Sequence, residues 1–510
     1  MHLFIRADAD SKISTGHIMR CIALAQGWQD RGGTVAFISH CESEALRKRI
    51  SEEGFQFNVI EKTHPHPDDL AQTLAYLKRL SPLIIHSSPK WLVLDGYHFT
   101  SEYQKAIRDS GHRLLVIDDM NHLPYYHADI LLNQNINAPG LHYHCNEDAA
   151  LLLGTRYVLL RREFLKYLDF KHRIQEQAKN ILVTLGGSDP DNATLKVIEA
   201  IKLLNEADIS VKIIIGPANS HLKTLRRILA AAKFKADFLI NPPSMPELMV
   251  WADMAIAAGG STCWELAFMG VPIISLILAE NQMAVANGIT KEGFAVNLGW
   301  YESFNTRTAS REICSLLQSK KRRLKMVLKG QSLISATGRN HVYERISTLS
   351  TYIRLATESD CELIWNWAND PEVRQSAFCT EKFSFEDHKQ WFYSKIIDPG
   401  CFQFVCYNSS DKPIGQIRFD KICNREYEVD ISIDRRFRSK GYGAELIKQA
   451  LCELKNHTEV DVVHSHVKFG NSASKNVFLK VGFVCEINSF IKNTECFHFR
   501  WKQETNKERE

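Results

Sequence analysis

Short apolar runs alternate with amphipathic stretches along the chain. Leu3–Ile5 precedes Ile18–Trp28, Trp91–Leu94 precedes Glu102–Asp109, and Leu114–Ile117 continues the series. Runs too short for a helix, interleaved with segments of helical periodicity, predict βαβ units and a parallel sheet. A second series begins at Ile181–Leu185 and continues with Val211–Ile215, Asp237–Ile240, Met254–Ala257 and Pro272–Ile277, again with helical patterns between. It predicts a second parallel sheet. Gly154–Phe164, rich in Arg, and the charged Lys166–Lys179 read as the link between the sheets, leaving a cleft where ligands of such folds bind. A helix-rich stretch over Thr308–Ser347 closes the pair. Near Tyr352 the pattern restarts with a strand, a helix over Cys361–Ala368, and an antiparallel-looking series: Phe402–Tyr407, Pro413–Asp420 and Glu426–Ile433. The expected class is α/β for domains at 1–165 and 166–347 and α+β for a domain at 348–502. The polar tail 503–510 is expected to be disordered.

Composition narrows the function classes. A chain of 510 residues is too long for one core. Its 45% hydrophobic and 24% charged residues are ordinary for a soluble protein, and no run approaches the roughly 20 apolar residues of a membrane span. The start, Met1 to Asp8, lacks the basic flank and longer apolar segment of a secretory signal, so a cytoplasmic location is expected. Thirteen cysteines without C-x-x-C pairing suggest free thiols, with neither disulfides nor bound metal. A net charge of +4 with interspersed signs gives no reason to expect a nucleic-acid partner. Lys320–Arg323, a short basic run, reads as the solvated face of a helix.

Candidate chemistry sits where strands run into helices. Ser14-Thr15-Gly16 follows a strand and opens a helix near His17, a place where backbone N–H groups and the helix dipole attract phosphate. That dipole disfavours a positive imidazole, which suits His17 to a base's work. Ala258-Gly259-Gly260-Ser261-Thr262 repeats the arrangement before the helix Cys263–Met269, whose Glu265 could accept both hydroxyls of a ribose. Gly186-Gly187-Ser188-Asp189 and Ala279-Glu280-Asn281-Gln282 follow two other strands of the same sheet, so three small, polar loops converge on one edge. Taken singly, each is equally an ordinary strand-to-helix turn.

Together they carry a resemblance. Arg6-Ala7-Asp8, Gly16-His17-Ile18-Met19-Arg20-Cys21, Asp95-Gly96-Tyr97, Asp118-Asp119, Leu185-Gly186-Gly187, Gly259-Gly260-Ser261-Thr262-Cys263-Trp264-Glu265 and Leu278-Ala279-Glu280-Asn281-Gln282 resemble the UDP-2,4-diacetamido-2,4,6-trideoxy-β-L-altropyranose hydrolases of pseudaminic acid biosynthesis. The match spans residues 1 to 345. It implies two Rossmann-like domains of GT-B type, no metal, and a UDP-sugar cleaved with inversion. It implies His17 as the base for water and Tyr97 near the sugar. Arg6, Asp8, Gly16, Arg20 and Gly187 would join the substrate site. Gly260, Ser261, Thr262 and Glu265 would hold UDP, with Asn281 and Gln282 at the sugar or diphosphate. A glycosyltransferase, with the same base acting on an acceptor hydroxyl, is the alternative.

In the third domain Arg438-Ser439-Lys440-Gly441-Tyr442-Gly443-Ala444 follows the strand Val429–Ile433 and opens the helix Glu445–Leu454. Consecutive N–H groups there, with Arg438 and Lys440, could bind a pyrophosphate. With Asn471-Ser472-Ala473-Ser474 and Phe478 to Phe483, this segment resembles the GNAT N-acetyltransferases. The resemblance covers 352 to 502 and implies acetyl-coenzyme A held by Gly441, Gly443, Ala444, Asn471 and Ser474. Trp365 to Arg374, His388 and Trp391 resemble the branch that holds ribosomal-protein acetyltransferases and a sugar 4-amino acetyltransferase. Many members place a tyrosine acid where this chain has Phe478. Glu426, Tyr427 and Glu428 are candidates for deprotonating the amine. The joint expectation is a bifunctional enzyme that acetylates a UDP-linked 4-amino sugar and then hydrolyses it. Its alternatives are a protein-directed acetyltransferase half or a half that only binds.

Overall fold

The computed structural model describes residues 2–10, 13, 15–80, 90–187, 189–204, 208–216, 219–408 and 411–503. Ser14, Ser188 and the expected tail beyond Gln503 lie outside them. The described residues up to Tyr343 form one compact unit and those from Glu344 a second.

The first unit holds two sheets. Among the described residues, β1 (His2–Ala7), β2 (Thr34–Ser39), β3 (Gln56–Val59), β4 (Trp91–Asp95), β5 (Arg113–Ile117), β6 (Ile130–Asn133) and β7 (Ala150–Leu153) lie in the order β3-β2-β1-β4-β5-β6-β7. All their pairings are parallel. All five residues of β4 are buried, as in a parallel strand covered on both faces. The chain runs outward through β2 and β3 and then returns to the other side of β1, so the order reverses between β1 and β4. The loops leaving their carboxyl ends diverge and open a crevice.

The second sheet repeats the device. Here β8 (Asn180–Thr184), β9 (Ser210–Ile215), β10 (Lys235–Ile240), β11 (Met254–Ala258), β12 (Ile273–Ile277) and β13 (Ala295–Trp300) are ordered β10-β9-β8-β11-β12-β13, all parallel. Its reversal falls between β8 and β11. Alternation along β8 puts Ile181 and Val183 in one core and Leu182 in the other, each worth about 1.5–3 kcal/mol when fully buried. The basic run Lys320–Arg323 opens the helix Lys320–Leu333, but Arg323 is not solvated. Its side chain is buried and donates to the carbonyls of Leu316, Leu317, Gln175 and Glu176, so it satisfies the last carbonyls of the preceding helix.

The second unit is one mixed sheet. The strands β14 (Tyr352–Leu355), β15 (Cys401–Tyr407), β16 (Pro413–Cys423), β17 (Glu426–Ile433), β18 (Val462–Lys468), β19 (Val484–Ile491) and β20 (Thr494–Lys502) are ordered β14-β15-β16-β17-β18-β20-β19 among the described residues. Every pairing is antiparallel except β17 with β18. That parallel pair is registered only at Glu426–Glu428 against Val462–His464, and the two strands part beyond it. The helix Tyr442–His457 packs on one face, and Cys361–Ala368 with Phe385–Ile396 covers Val405 on the other. The thirteen cysteines are free. Among the described residues no helix is long and apolar enough to cross a membrane, and no group of His, Cys, Asp and Glu is placed to hold a metal.

Candidate functional sites

The first site lies at the crevice of the first sheet. Ala7 and Asp95 are registered partners at the ends of β1 and β4, which brings Asp95 beside the start of the helix Gly16–Gln29. His17 donates from Nδ1 to Asp95 Oδ1 at 2.6 Å. Arg20, one turn further on the same helix face, donates from Nε and Nη2 to the two oxygens of Asp95 at 2.6 and 2.7 Å. Its Nη1 reaches Asp119 at 2.7 and 2.9 Å. Burial alone would raise the Asp95 carboxyl, but Arg20 and His17 outweigh it and hold it below the ordinary carboxylate range. A buried carboxylate on Nδ1 fixes the tautomer of His17. Nε2, with no protein hydrogen bond among the described residues, is left to take a proton.

Tyr97 stands edge-on to the His17 ring, 4.9 Å between centroids. Its hydroxyl donates to Asp119 and accepts from Asn281 Nδ2 at 3.0 Å. Burial, then the Asp119 charge, pushes that hydroxyl well above its ordinary range, so Tyr97 stays a neutral donor. Asn135 also donates to Asp119, at 2.6 Å.

Loops of the second sheet meet this crevice. A Cβ at Gly187 would lie 3.2 Å from Thr15 Oγ1, so the loop after β8 touches the start of the His17 helix. Gly186 has φ +95°, where other residues are strained. A Cβ at Gly259 would lie 3.1 Å from the carbonyl of Gln282, while one at Gly260 would meet nothing. Ser261 precedes the helix Thr262–Phe268, and neither it nor Thr15 caps its helix through its side chain. Among the described residues the N–H groups of Gly16 and His17, and of Ser261 and Thr262, are therefore open to a ligand, whereas those of Cys263 and Trp264 go to the carbonyls of Gly260 and Ser261. Glu265 receives Nε and Nη2 of Arg161 on one oxygen, at 3.0 and 2.9 Å, leaving Oε2 without a protein donor among the described residues. Burial pushes Glu265 upward despite Arg161. Gln282 Oε1 accepts from the N–H of Leu278 at 2.9 Å and braces its loop.

Two expected ligand contacts are placed elsewhere. Arg6 and Asp8 are fully buried and paired with each other. Arg6 also binds Asp69, and Asp8 accepts from the His40 N–H and His98 Nε2. Both side chains are spent in an internal ion cluster.

The second site begins where β17 and β18 part. Ser439 and Gly441 take φ +60° and +86°, which turns the chain into the helix Tyr442–His457 with no side-chain cap. The N–H groups of its first turn, across Gly443 and Ala444, are open to a pyrophosphate. Arg438 is not: its guanidinium binds the Ile433 carbonyl, Asp370 and Glu372 at 2.9, 2.8 and 2.7 Å, which anchors the loop. Lys440 lies near the ring of Phe437. Asn471 caps the helix Ser472–Lys480 by accepting from the Ser474 N–H at 3.0 Å. Phe478 is a core residue against Phe483 and Phe499. Tyr427 is 1% exposed and its hydroxyl meets Thr458 at 3.0 Å, so it is not free to act as a base. Glu426 and Glu428 lie on the opposite face, hydrogen-bonded to His464 and His466.

Sequence reasoning gave no role to Asp95, Asp119, Arg161, His464, His466 or His498. Asp95 and Asp119 stood within the quoted motifs. Arg161 was signalled only by the Arg-rich link, and His464 and His466 by an alternating His-x-His on one strand, while His498, on another strand, had no local signal.

Residues 180–336 match the glycosyltransferase family 28 C-terminal domain, and residues 351–484 match the acetyltransferase (GNAT) domain. The chain thus joins two parallel α/β sheets, the second within the glycosyltransferase family 28 match, to a GNAT-like sheet domain. An uncharacterised protein of Methanocaldococcus jannaschii is 24% identical over 494 residues, 95% of this chain and 96% of its own. The spore coat polysaccharide biosynthesis protein SpsG of Bacillus subtilis is 26% identical over 340 residues, 66% and 95% of the two chains. A Helicobacter pylori protein named as pseudaminic acid cytidylyltransferase and UDP-2,4-diacetamido-2,4,6-trideoxy-β-L-altropyranose hydrolase is 27% identical over 201 residues, 38% of this chain and 35% of its own.

Proposed function

We propose that this chain catalyses two consecutive steps on one nucleotide sugar. The second unit acetylates UDP-4-amino-4,6-dideoxy-N-acetyl-β-L-altrosamine from acetyl-coenzyme A. The first unit then hydrolyses the product to UDP and free 2,4-diacetamido-2,4,6-trideoxy-L-altrose. The observation that carries the hydrolytic step is the His17–Asp95 pair at the point where both sheets' ligand loops meet.

In this reading Glu265 Oε2 takes the ribose hydroxyls, Gly187, Ser261 and Thr262 face the diphosphate with backbone N–H groups, and Gly260, whose own N–H goes to the Ala258 carbonyl, leaves room for it. Tyr97 and Asn281 bracket the sugar. His17 Nε2 removes a proton from water as its oxygen bonds to the anomeric carbon, and the bond from that carbon to the UDP oxygen breaks. UDP is already a stable leaving group, so one positioned base, worth roughly 100 to 10,000-fold, suffices beside the diphosphate donors. In the second unit, the free N–H groups at Gly441 to Ala444 fit the pyrophosphate of acetyl-coenzyme A, whose thioester supplies the acetyl group.

Turnover in 18O-labelled water tests the bond cleaved. Label in the free sugar supports the reading, and label in UDP refutes it. The family 28 match favours a second reading, transfer to an acceptor hydroxyl. Release of free sugar with no acceptor present would exclude that.

A further inference from the structure

Resting on the acetyltransferase reading, we infer that His466, oriented by Glu428, is the base that takes the proton from the acceptor amine. Alternation along β17 buries Tyr427 and Val429 under the helix Tyr442–His457, so Glu426, Glu428 and Asp430 must point to the opposite face. The two strands stay registered only as far as Glu428 and His464. His466, two residues past that point on β18, reaches back across the opening: its Nδ1 donates to Glu428 Oε1 at 2.8 Å. The pair therefore stands at the mouth of the gap, with the His466 side chain 21% exposed. Nε2 of His466 has no protein hydrogen bond among the described residues.

The neighbours hold the ring still. His466 and His498 are registered partners on β18 and β20, and their rings stack at 4.7 Å and 11°. His498 stacks in turn on His464 at 5.1 Å. His464 Nδ1 and His498 Nε2 meet at 2.9 Å, and His464 Nε2 reaches Glu426 at 3.1 Å. The charged and titratable groups facing His466 are therefore Glu426, Glu428 and Asp430 on β17, His464 and Lys468 on β18, and His498 and Arg500 on β20. Arg418 and Asp420 on β16 act on Glu428, and Glu486 on β19 pairs with Arg500. The carboxylate on Nδ1 sets the same tautomer as Asp95 does for His17. The hydrogen bond from His466 in turn holds Glu428 below the ordinary carboxylate range.

The chemistry needs such a group. An acceptor ammonium carries two more protons than the amide product. His466 Nε2 takes the first and passes it to solvent. The nitrogen lone pair then bonds to the thioester carbonyl carbon, the carbon–sulfur bond breaks, and the thiolate leaves with the electron pair. The second proton moves from nitrogen to that sulfur. Phe478 has no hydroxyl to supply it, and Tyr427 is buried against Thr458, so the core face offers neither acid nor base.

The test compares wild type, His466→Gln and Glu428→Gln in acetyl transfer to the UDP-linked 4-amino sugar and, in parallel, to spermidine as a generic amine. Acetyl-coenzyme A binding by calorimetry controls for folding. His466→Gln is expected to lose about 100-fold or more in kcat/KM at neutral pH, the scale of a missing base, while binding acetyl-coenzyme A like the wild type. The loss should shrink at high pH, where the amine is already neutral. Glu428→Gln should retain a displaced pH limb that His466→Gln lacks. A His466→Gln enzyme of unchanged activity and pH profile overturns the inference alone. If the wild type acetylates spermidine but not the sugar, the sugar reading falls and the base is judged on spermidine. If it turns over acetyl-coenzyme A with neither amine, both the reading and the inference fall.

Discussion

Asn281 donates to the hydroxyl of Tyr97 at 3.0 Å across 184 positions of sequence. The contact joins the loop after β12 to the loop after β4, and it leaves the Tyr97 proton aimed at Asp119. Tyr97→Phe removes both hydrogen bonds and leaves Asp119 one donor short. With hydrogen bonds to charged groups worth about 1.5–3 kcal/mol, UDP release should slow by roughly 10- to 100-fold. Asn281→Ala should act mainly on KM. Steady-state kinetics of UDP release separates the two.

His17→Ala should lower kcat for UDP release by about 100 to 10,000-fold, the usual worth of a general base. Asp95→Asn should approach that loss, because the amide no longer carries the charge that favours the imidazolium formed in the reaction. Both variants should still bind UDP in a calorimetric titration, since neither side chain faces the nucleotide in this account.

Arg161→Met tests how Glu265 is held. Burial already raises the Glu265 carboxyl, and Arg161 opposes that rise. Without Arg161 the group rises further and is protonated more at neutral pH, so it accepts hydroxyls less well. KM for the UDP-sugar should increase about tenfold, equivalent to about 1.4 kcal/mol, and should recover as pH is raised.

The Arg6 cluster governs stability. Burial would raise Asp8, but Arg6, with hydrogen bonds from His98, Arg6 and the His40 backbone, brings it down to about 2. A lowered carboxyl stabilises the fold above its ordinary value, near 4. That stability is lost as pH falls from about 4 to about 2. Arg6→Met leaves buried carboxylates uncompensated and should cost about 3–5 kcal/mol at neutral pH, read as a lower urea midpoint.

The ligand loops could be read from the sequence because glycine, serine and threonine directly follow apolar runs, and His17 because it opens the helix that follows one. Partners could not. Asp95 lies 78 positions from His17 and meets it only because β4 returns beside β1. The same blindness explains Arg6 and Arg438, which carry the right chemistry for an anion but are taken by Asp69 and Asp370. Asn471 faces its own helix because a side-chain oxygen two to three residues from a free N–H caps it. The strands β8, β11 and β12 stood out as apolar runs with nearly every position buried, whereas β3 has no fully buried position and gives no such signal. The His464, His466 and His498 column depends on the pairing of β18 with β20, which no local pattern encodes.

The most direct test of the two-step account is mass spectrometry of the purified protein given the UDP-linked 4-amino sugar, with and without acetyl-coenzyme A. The account predicts gain of one acetyl group, followed by UDP and the free diacetamido sugar, with UDP release dependent on acetyl-coenzyme A. An acetylated sugar that stays on UDP, or UDP released equally fast without acetylation, would contradict it.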